Sequence, residues 1–419
     1  MKPRRGANLA LLGFALIVGF GLCELAARLV TETDIDGQAY FKGVPLRPYR
    51  FPAELTREKI RVYAERENEA YVVADPLLGW TIGTNRSSQN GLYRSNAQGI
   101  RSEPREYSLL KPAGVVRIAL FGDSFTHGDE EPFRKTWGRF LEQDLAQAGI
   151  DAEVLNFGVP AYGMGQAFLR WRLEGKRYGP DIAVFGFQPE NMQRAVNIFR
   201  IFYSRRTGVV FSKPRFYLGE NDELELLNSP VVPPEQVADT IADLPSSPLA
   251  AYEFWYNPDN YSNSPIYTSR LLWLLHTVLG PKAPRPGSRR DYRPGRHYWD
   301  PESEPMAVAQ KILEEFAREA REAGEIPIVL HIPKENDVEL AEAGKELAHY
   351  RILQALEKEG VIVVDPLPAM KGKSRLYKKS HYSSKGGRIV ARALADRIIR
   401  ELKPERPQAP LLPAPAPGP

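Results

Sequence analysis

The sequence predicts an α/β fold: a three-layer α/β/α, flavodoxin-like parallel sheet with a large aromatic-rich insertion. Two observations carry that expectation. From Val115 onward, short apolar runs rich in Val, Ile and Ala alternate with segments of helical periodicity, the pattern of strands and helices in a parallel sheet covered on both faces. Between Phe199 and Asp300 the alternation stops, then it resumes.

Each element follows from local pattern. Arg117-Ile-Ala-Leu-Phe121 reads as the first strand, and Phe133, Trp137, Phe140, Leu141 and Leu145 then fall at helical spacing. Glu153 to Phe157 is a second strand, followed by a helix around Gly165–Arg177. Asp181–Phe185, Ile326–Leu330 and Val361–Val364 are the third, fourth and fifth strands. Helices are expected at 303–323, 335–359 and 384–402, the last with a stripe of Val390, Leu394, Ile398 and Leu402. Turn residues between Asp75 and Ser108 (Gly79, Gly83, Asn90-Gly91, Gly99) fit short strands and hairpins. The predicted organisation is an anchor and flank at 1–34, a stalk and small β-rich leader at 35–110, and the core at 111–199 and 301–402. The insertion spans 200–300, and 403–419 is a Pro- and Ala-rich tail that cannot bury a core. Within the insertion, Leu271–Leu279 reads as a buried helix, and 281–296 as an exposed basic loop.

Composition narrows the function classes. The 419 residues are 43% hydrophobic and 26% charged, which excludes a wholly disordered, collagen-like or polytopic membrane chain. A net charge of +4 over that length gives no argument for a nucleic-acid partner. The single cysteine rules out an intrachain disulfide and a Cys-ligated metal site. Lys2, Arg4 and Arg5 precede an uncharged run from Leu9 to Cys23 that closes at Glu24 and Arg28. This predicts a membrane helix at residues 8–30, with the N-terminus inside and the rest extracytoplasmic. A cleaved signal peptide is the alternative, although no small-x-small cleavage site follows the run and Leu22 before Cys23 is a poor lipoprotein junction.

The chemistry is expected after the first strand. Gly122-Asp123-Ser124-Phe125 lies between a strand end and a helix, where open α/β sheets place their sites. A serine there has backbone N–H groups nearby to hold an oxyanion. It needs a base, usually histidine. His276 reads as a core residue and His349 as a solvated one, while His297 falls in the basic loop. His331 ends the fourth strand and is a candidate to line the site. His127 is three residues from Ser124 and lines the pocket without the geometry of a base. His381 follows the fifth strand on the same side of the sheet and is the candidate base.

Together these residues resemble the SGNH (GDSL) hydrolase family, in a membrane-anchored bacterial-type form. Gly122-Asp123-Ser124-Phe125 matches its first block, with Ser124 as nucleophile. Asn156-Phe157-Gly158-Val159-Pro160 matches the second, and the resemblance makes Gly158 an oxyanion donor through its N–H. Gly186 to Asn191 aligns with the third, which makes Asn191 the side-chain oxyanion donor, and His381 matches the last as general base. Asp75-Pro76 to Trp80 and Asn96 to Arg101 resemble the leader of membrane-anchored members. The implied fold is SGNH hydrolase-like, and no cofactor or metal is implied. Three positions depart from the family: Glu190 and Met192 stand for the Gly and Asp of the third block's Gly-Asn-Asp, and Lys378 for the acid three residues before the histidine. With Lys378 there, the imidazole has to be held by a backbone carbonyl, or by a carboxylate from elsewhere such as Asp365 or Glu190, with Asp123 also nearby.

Two function classes follow. One is an extracytoplasmic acyl-ester hydrolase or O-acyltransferase acting on a carbohydrate or polysaccharide ester, with the glycan suggested by the membrane address, the aromatic insertion and the family. The other, motivated by Lys378 and Met192, is a non-catalytic glycan-binding or assembly protein on the same fold.

Overall fold

The computed structural model describes residues 5–103, 105–280, 300 and 303–402. The expectations for Lys2, Arg4, the basic loop with His297, and the tail fall outside the described residues.

Five strands form the main sheet: β1 (Val116–Phe121), β2 (Ala152–Asn156), β3 (Ile182–Phe187), β4 (Ile326–His331) and β5 (Ile362–Val364). Their order is β5-β4-β3-β1-β2, and every pairing is parallel. The expected three-layer α/β/α sheet is therefore present. In this order the direction of winding reverses between β1 and β3, and a crevice opens beyond their C-terminal ends.

Alternate residues of each strand feed opposite layers. Ile118 and Leu120 of β1, Ile182 and Val184 of β3, and Ile328 and Leu330 of β4 share one core with two helices. These are Trp137–Gln147, through Phe140, Leu141 and Leu145, and Ser384–Leu402, through Val390, Leu394 and Ile398. On the other face Phe121 stacks on Phe157 with ring centroids 5.0 Å apart. There Trp171 and Phe185 both meet Phe316 of helix Glu304–Glu322, at 5.1 and 5.2 Å. Burying one such side chain is worth about 1.5–3 kcal/mol, so both layers are firmly held to the sheet that carries the site.

Several local expectations change. The helix expected at 335–359 is two, Glu335–Glu342 and Tyr350–Lys358. Gly344 lies between them at φ +69°, a left-handed conformation that ends a helix. His349 is buried rather than solvated, and His276 is only half-buried rather than a core residue. Helix Arg270–Leu279 buries Trp273 alone, with Leu275, Val278 and Leu279 exposed.

The chain forms two compact units. One takes the described residues of Glu69–Ala195, Phe216–Glu225 and His297–Pro419 and contains the main sheet. The other takes those of Met1–Asn68, Val196–Arg215 and Leu226–Arg296. Within this second unit the segment read as a stalk is folded: Phe51, Leu55 and Ile60 pack on a cluster of Ile198, Phe199, Val237 and Ile241. Phe254, Trp255 and Tyr256 of the insertion are buried, and Tyr256 packs against Phe51, Phe202 and Tyr261. Because these rings are core, they lend no support to a carbohydrate-stacking platform.

Candidate active site

Ser124 opens a single-turn helix, Ser124–His127, directly after β1. Asp123 caps it, its Oδ1 accepting the Phe125 N–H at 2.9 Å. As the first helical residue, Ser124 has an N–H with no intrahelical acceptor. The turn is thus pinned at the crevice mouth with the Ser124 backbone dipole available.

His381 reaches this serine from the other end of the chain. Its Nε2 lies 2.8 Å from Ser124 Oγ, although the two residues are 257 positions apart. A tight hairpin delivers it: Tyr377–Lys378 pairs antiparallel with His381–Tyr382, so Lys378 stands directly opposite His381. Phe125 closes the ring from the side at 4.9 Å between centroids. The only hydrogen-bond partner of His381 Nδ1 among the described residues is Ser380 Oγ, at 3.5 Å. The Lys378 side chain turns outward and donates to the Glu130 carbonyl at 2.9 Å.

The other expected groups are distributed less simply. Asn191 is buried beyond β3, and its amide donates to the Asp123 carboxylate. Burial pushes Asp123 upward from the usual carboxylate range, against the opposing charge of Arg194. Gly158 lies against the nucleophile turn, but its N–H donates to Asn156 Oδ1 at 2.9 Å and so is not open to an oxyanion in this state. What the position requires is closeness. A β-carbon at Gly158 would sit 2.3 Å from the His127 backbone nitrogen and 2.7 Å from the Thr126 carbonyl carbon. Gly158→Ala should therefore shift the turn, costing about 1–3 kcal/mol. Chemical denaturation and ester cleavage measured on the same preparation check this, and an alanine variant with wild-type stability would refute it.

Neither proposed substitute acid reaches His381. Asp365 is taken by His331 Nδ1 at 2.7 Å, by the Tyr350 hydroxyl at 2.5 Å and by the Leu367 N–H at 3.0 Å. Glu190 pairs with Lys334 and with Arg194. His331 does not line the site. It is fully buried, and its Nε2 faces His349 Nε2 at 3.0 Å. Desolvation lowers His349 to about 2, so this cluster stays neutral at that ring.

The residue that sequence reading missed is Asp129. It lines a small cavity beside His381, together with Glu131, Lys135, Trp137 and Ser383. Burial pushes its carboxyl up to about 6, with the His381 charge opposing the rise. One oxygen meets His127 Nδ1 at 2.5 Å, and the far side of that ring meets the Tyr71 hydroxyl at 2.8 Å. Desolvation holds His127 well below the usual histidine range. A consistent tautomer has Tyr71 O–H donating to Nε2 and Nδ1–H donating to Asp129. Arg101 fixes the loop, donating to the carbonyls of His127, Gly128 and Glu131. The run Gly128-Asp129-Glu130-Glu131 shortly after the serine was the available signal.

A serine, a histidine in contact with it and a buried asparagine nearby occupy the C-terminal end of a parallel sheet wound in the order above. In fold, the chain resembles the SGNH (GDSL) hydrolases. Solved structures similar to it include a lipase/acylhydrolase from Enterococcus faecalis, with 14% identity, 70% of this chain and 99% of that one covered, and a TM-score of 0.35. A lipolytic protein of the G-D-S-L family from Desulfitobacterium hafniense has 11% identity, with 67% and 98% covered and a TM-score of 0.33. A psychrotrophic esterase from Pseudoalteromonas sp. has 10% identity, with 68% and 98% covered and a TM-score of 0.33. No family model and no curated protein matches the sequence.

Proposed function

We propose that this SGNH-like chain is a membrane-anchored, extracytoplasmic serine acyl-ester hydrolase or O-acyltransferase. The observation that carries the reading is the 2.8 Å contact between His381 Nε2 and Ser124 Oγ, the geometry a general base needs. Ser124 Oγ bonds to the ester carbonyl carbon as its proton passes to His381 Nε2. The Ser124 N–H and the second Asn191 amide hydrogen hold the oxyanion. The C–O bond to the alcohol then breaks, and that oxygen takes the proton from His381. Water, or the hydroxyl of an acceptor, repeats the sequence in reverse and releases the acyl group. Asp129 supplies the negative charge that steadies the imidazolium, in place of the acid that Lys378 displaces.

A carbohydrate ester is favoured as substrate by the groove beside the His381 hairpin. Lys334, Glu335, Asn336, Tyr377 and Ser380 line it, so amide, hydroxyl and charged groups stand along it for a polyhydroxylated ligand. The address rests on the helix segment Leu9–Val30, 22 residues long, in which an 18-residue window has a mean hydropathy of 2.2 and no buried residue. Basic residues precede the span, which argues for an inside N-terminus.

Fluorophosphonate labelling of the purified chain, alongside acetate release from an O-acetylated oligosaccharide, tests the proposal. Labelling at Ser124 and acetate release in step are expected. The lack of a carboxylate on His381 Nδ1 among the described residues favours the second reading, a non-catalytic glycan binder. Unlabelled, inactive protein that still binds the oligosaccharide would establish that reading instead.

A further inference from the structure

We infer that helix Arg270–Leu279 is a membrane-surface foot, its outer apolar face seated at the headgroup–acyl boundary of the bilayer that holds Leu9–Val30. This inference rests on the reading of Leu9–Val30 as a membrane anchor.

The helix is fixed to its own unit by one side only. Trp273 is fully buried against Ala39 and Leu46, and its indole N–H donates to the Pro48 carbonyl at 3.0 Å. Thr277 Oγ1 donates to the Arg47 carbonyl at 3.1 Å and accepts the Arg47 N–H at 2.9 Å. The opposite side repeats at positions i, i+4, i+7 and i+8, all of them apolar: Leu271, Leu275, Val278 and Leu279. Leu275, Val278 and Leu279 are 44%, 74% and 77% exposed, and Ile266, one turn earlier in the chain, is 53% exposed. Here the polarity of a soluble surface helix is reversed, since the side turned away from the protein is the apolar one.

What covers that face is indicated by the helix to which it is tied. Glu24, within the apolar span, accepts the Ser269 hydroxyl at 2.7 Å and the N–H groups of Arg270 and Leu271 at 3.0 and 2.9 Å. Its carboxylate therefore caps the N-terminus of the foot, where a negative charge is favoured. Arg28 pairs with Glu24 at 2.7 Å and donates to the Thr268 carbonyl at 2.9 Å. The two charges that interrupt the span are thus satisfied by the foot and by each other, as ionisable groups near a bilayer need to be. Glu24 lies six residues before Val30, about 9 Å along the helix at 1.5 Å per residue. That places the start of the foot at interfacial depth, and amphipathic helices bury their apolar face roughly 5–10 Å into this zone. The apolar face belongs to a helix joined to the span at Glu24 and Arg28, so the occupant is the same lipid bilayer.

The test uses the full chain in vesicles of phosphatidylcholine and phosphatidylglycerol. Cys23, the single cysteine and exposed, is first replaced by Cys23→Ser. An environment-sensitive fluorophore is then attached through Val278→Cys or, separately, Phe14→Cys, both at exposed positions. Expected results are strong quenching of the Val278 probe by lipids with a nitroxide near the headgroup, and little by aqueous iodide. The Phe14 probe should be quenched by a mid-chain nitroxide. Adding Leu275→Lys with Leu279→Lys should return iodide access at position 278. If the Phe14 probe is quenched in the bilayer while iodide quenches the Val278 probe, the foot is overturned and the anchor survives. If the Phe14 probe escapes the mid-chain nitroxide, the anchor reading fails and takes the foot with it. A Val278 probe shielded from both iodide and nitroxide lipid would place a protein surface there, a second copy included, and would equally overturn the proposal.

Discussion

Ser124→Ala should abolish fluorophosphonate labelling and lower kcat for ester cleavage roughly a thousand- to a million-fold, the range seen when a triad nucleophile is removed. The size follows from the geometry. Ser124 Oγ is the hydroxyl within hydrogen-bond distance of His381 Nε2, and without it no acyl-enzyme can form. His381→Asn should cost nearly as much and should not add to the serine loss, because the two groups act in one proton transfer. Both side chains are replaced by smaller or similar ones, and the contacts that hold the turn belong to neighbours, Asp123 among them. The variants should therefore keep a wild-type circular dichroism spectrum and denaturation midpoint. Residual rate above water would come from the oxyanion donors. Near-normal turnover by Ser124→Ala would sink the mechanism and move the nucleophile elsewhere.

The sheet was legible because each strand is a short run dense in Val, Ile, Leu and Ala between turn residues, as in Arg117–Phe121 and Ile326–Leu330. Such runs are buried on both faces, so local composition carries the signal. Ser124 and His381 were legible for a related reason: Ser124 lies just beyond β1 and His381 follows β5, at the same edge of the sheet. What stayed hidden depends on long-range packing. His349 sits on a charged segment and reads as solvated, yet it is buried against His331, 18 residues away. Asp365 follows β5 and looked free to serve His381, but His331 and Tyr350 claim it. Spacing along the chain cannot reveal such competition. The Asp129 loop was overlooked because its burial comes from Arg101, which gathers three loop carbonyls from a distant hairpin region. The rings of the insertion were visible as residues but not as core, since mutual packing removes the faces that a ligand would use.

Asp129→Asn should lower kcat about tenfold at neutral pH with KM little changed, equivalent to about 1.4 kcal/mol of lost transition-state stabilisation. Asn can still accept the His127 Nδ1–H, so the buried Tyr71–His127 arrangement survives and only the charge is removed. The effect is smaller than for a hydrogen-bonded triad acid, because Asp129 acts across a cavity rather than in contact with Nδ1. A pH series separates charge from structure. Burial holds the Asp129 carboxyl up to about 6, so its negative charge is present above that pH and is lost as pH falls through it. The ratio of wild-type to Asp129→Asn kcat should therefore shrink toward one as pH falls below about 6. Lys378→Asp supplies the complementary test. Position 378 is the cross-strand partner of His381, and side chains so paired lie about 4.5–5.5 Å apart at Cβ on one face of the hairpin. A carboxylate there should leave wild-type activity unchanged or raise it, and in the Asp129→Asn background it should restore most of the lost tenfold. A uniform loss at every pH, unrelieved by Lys378→Asp, would mean that Asp129 merely holds the loop. An unchanged kcat in Asp129→Asn would mean that Ser124 and His381 work as a dyad without a carboxylate.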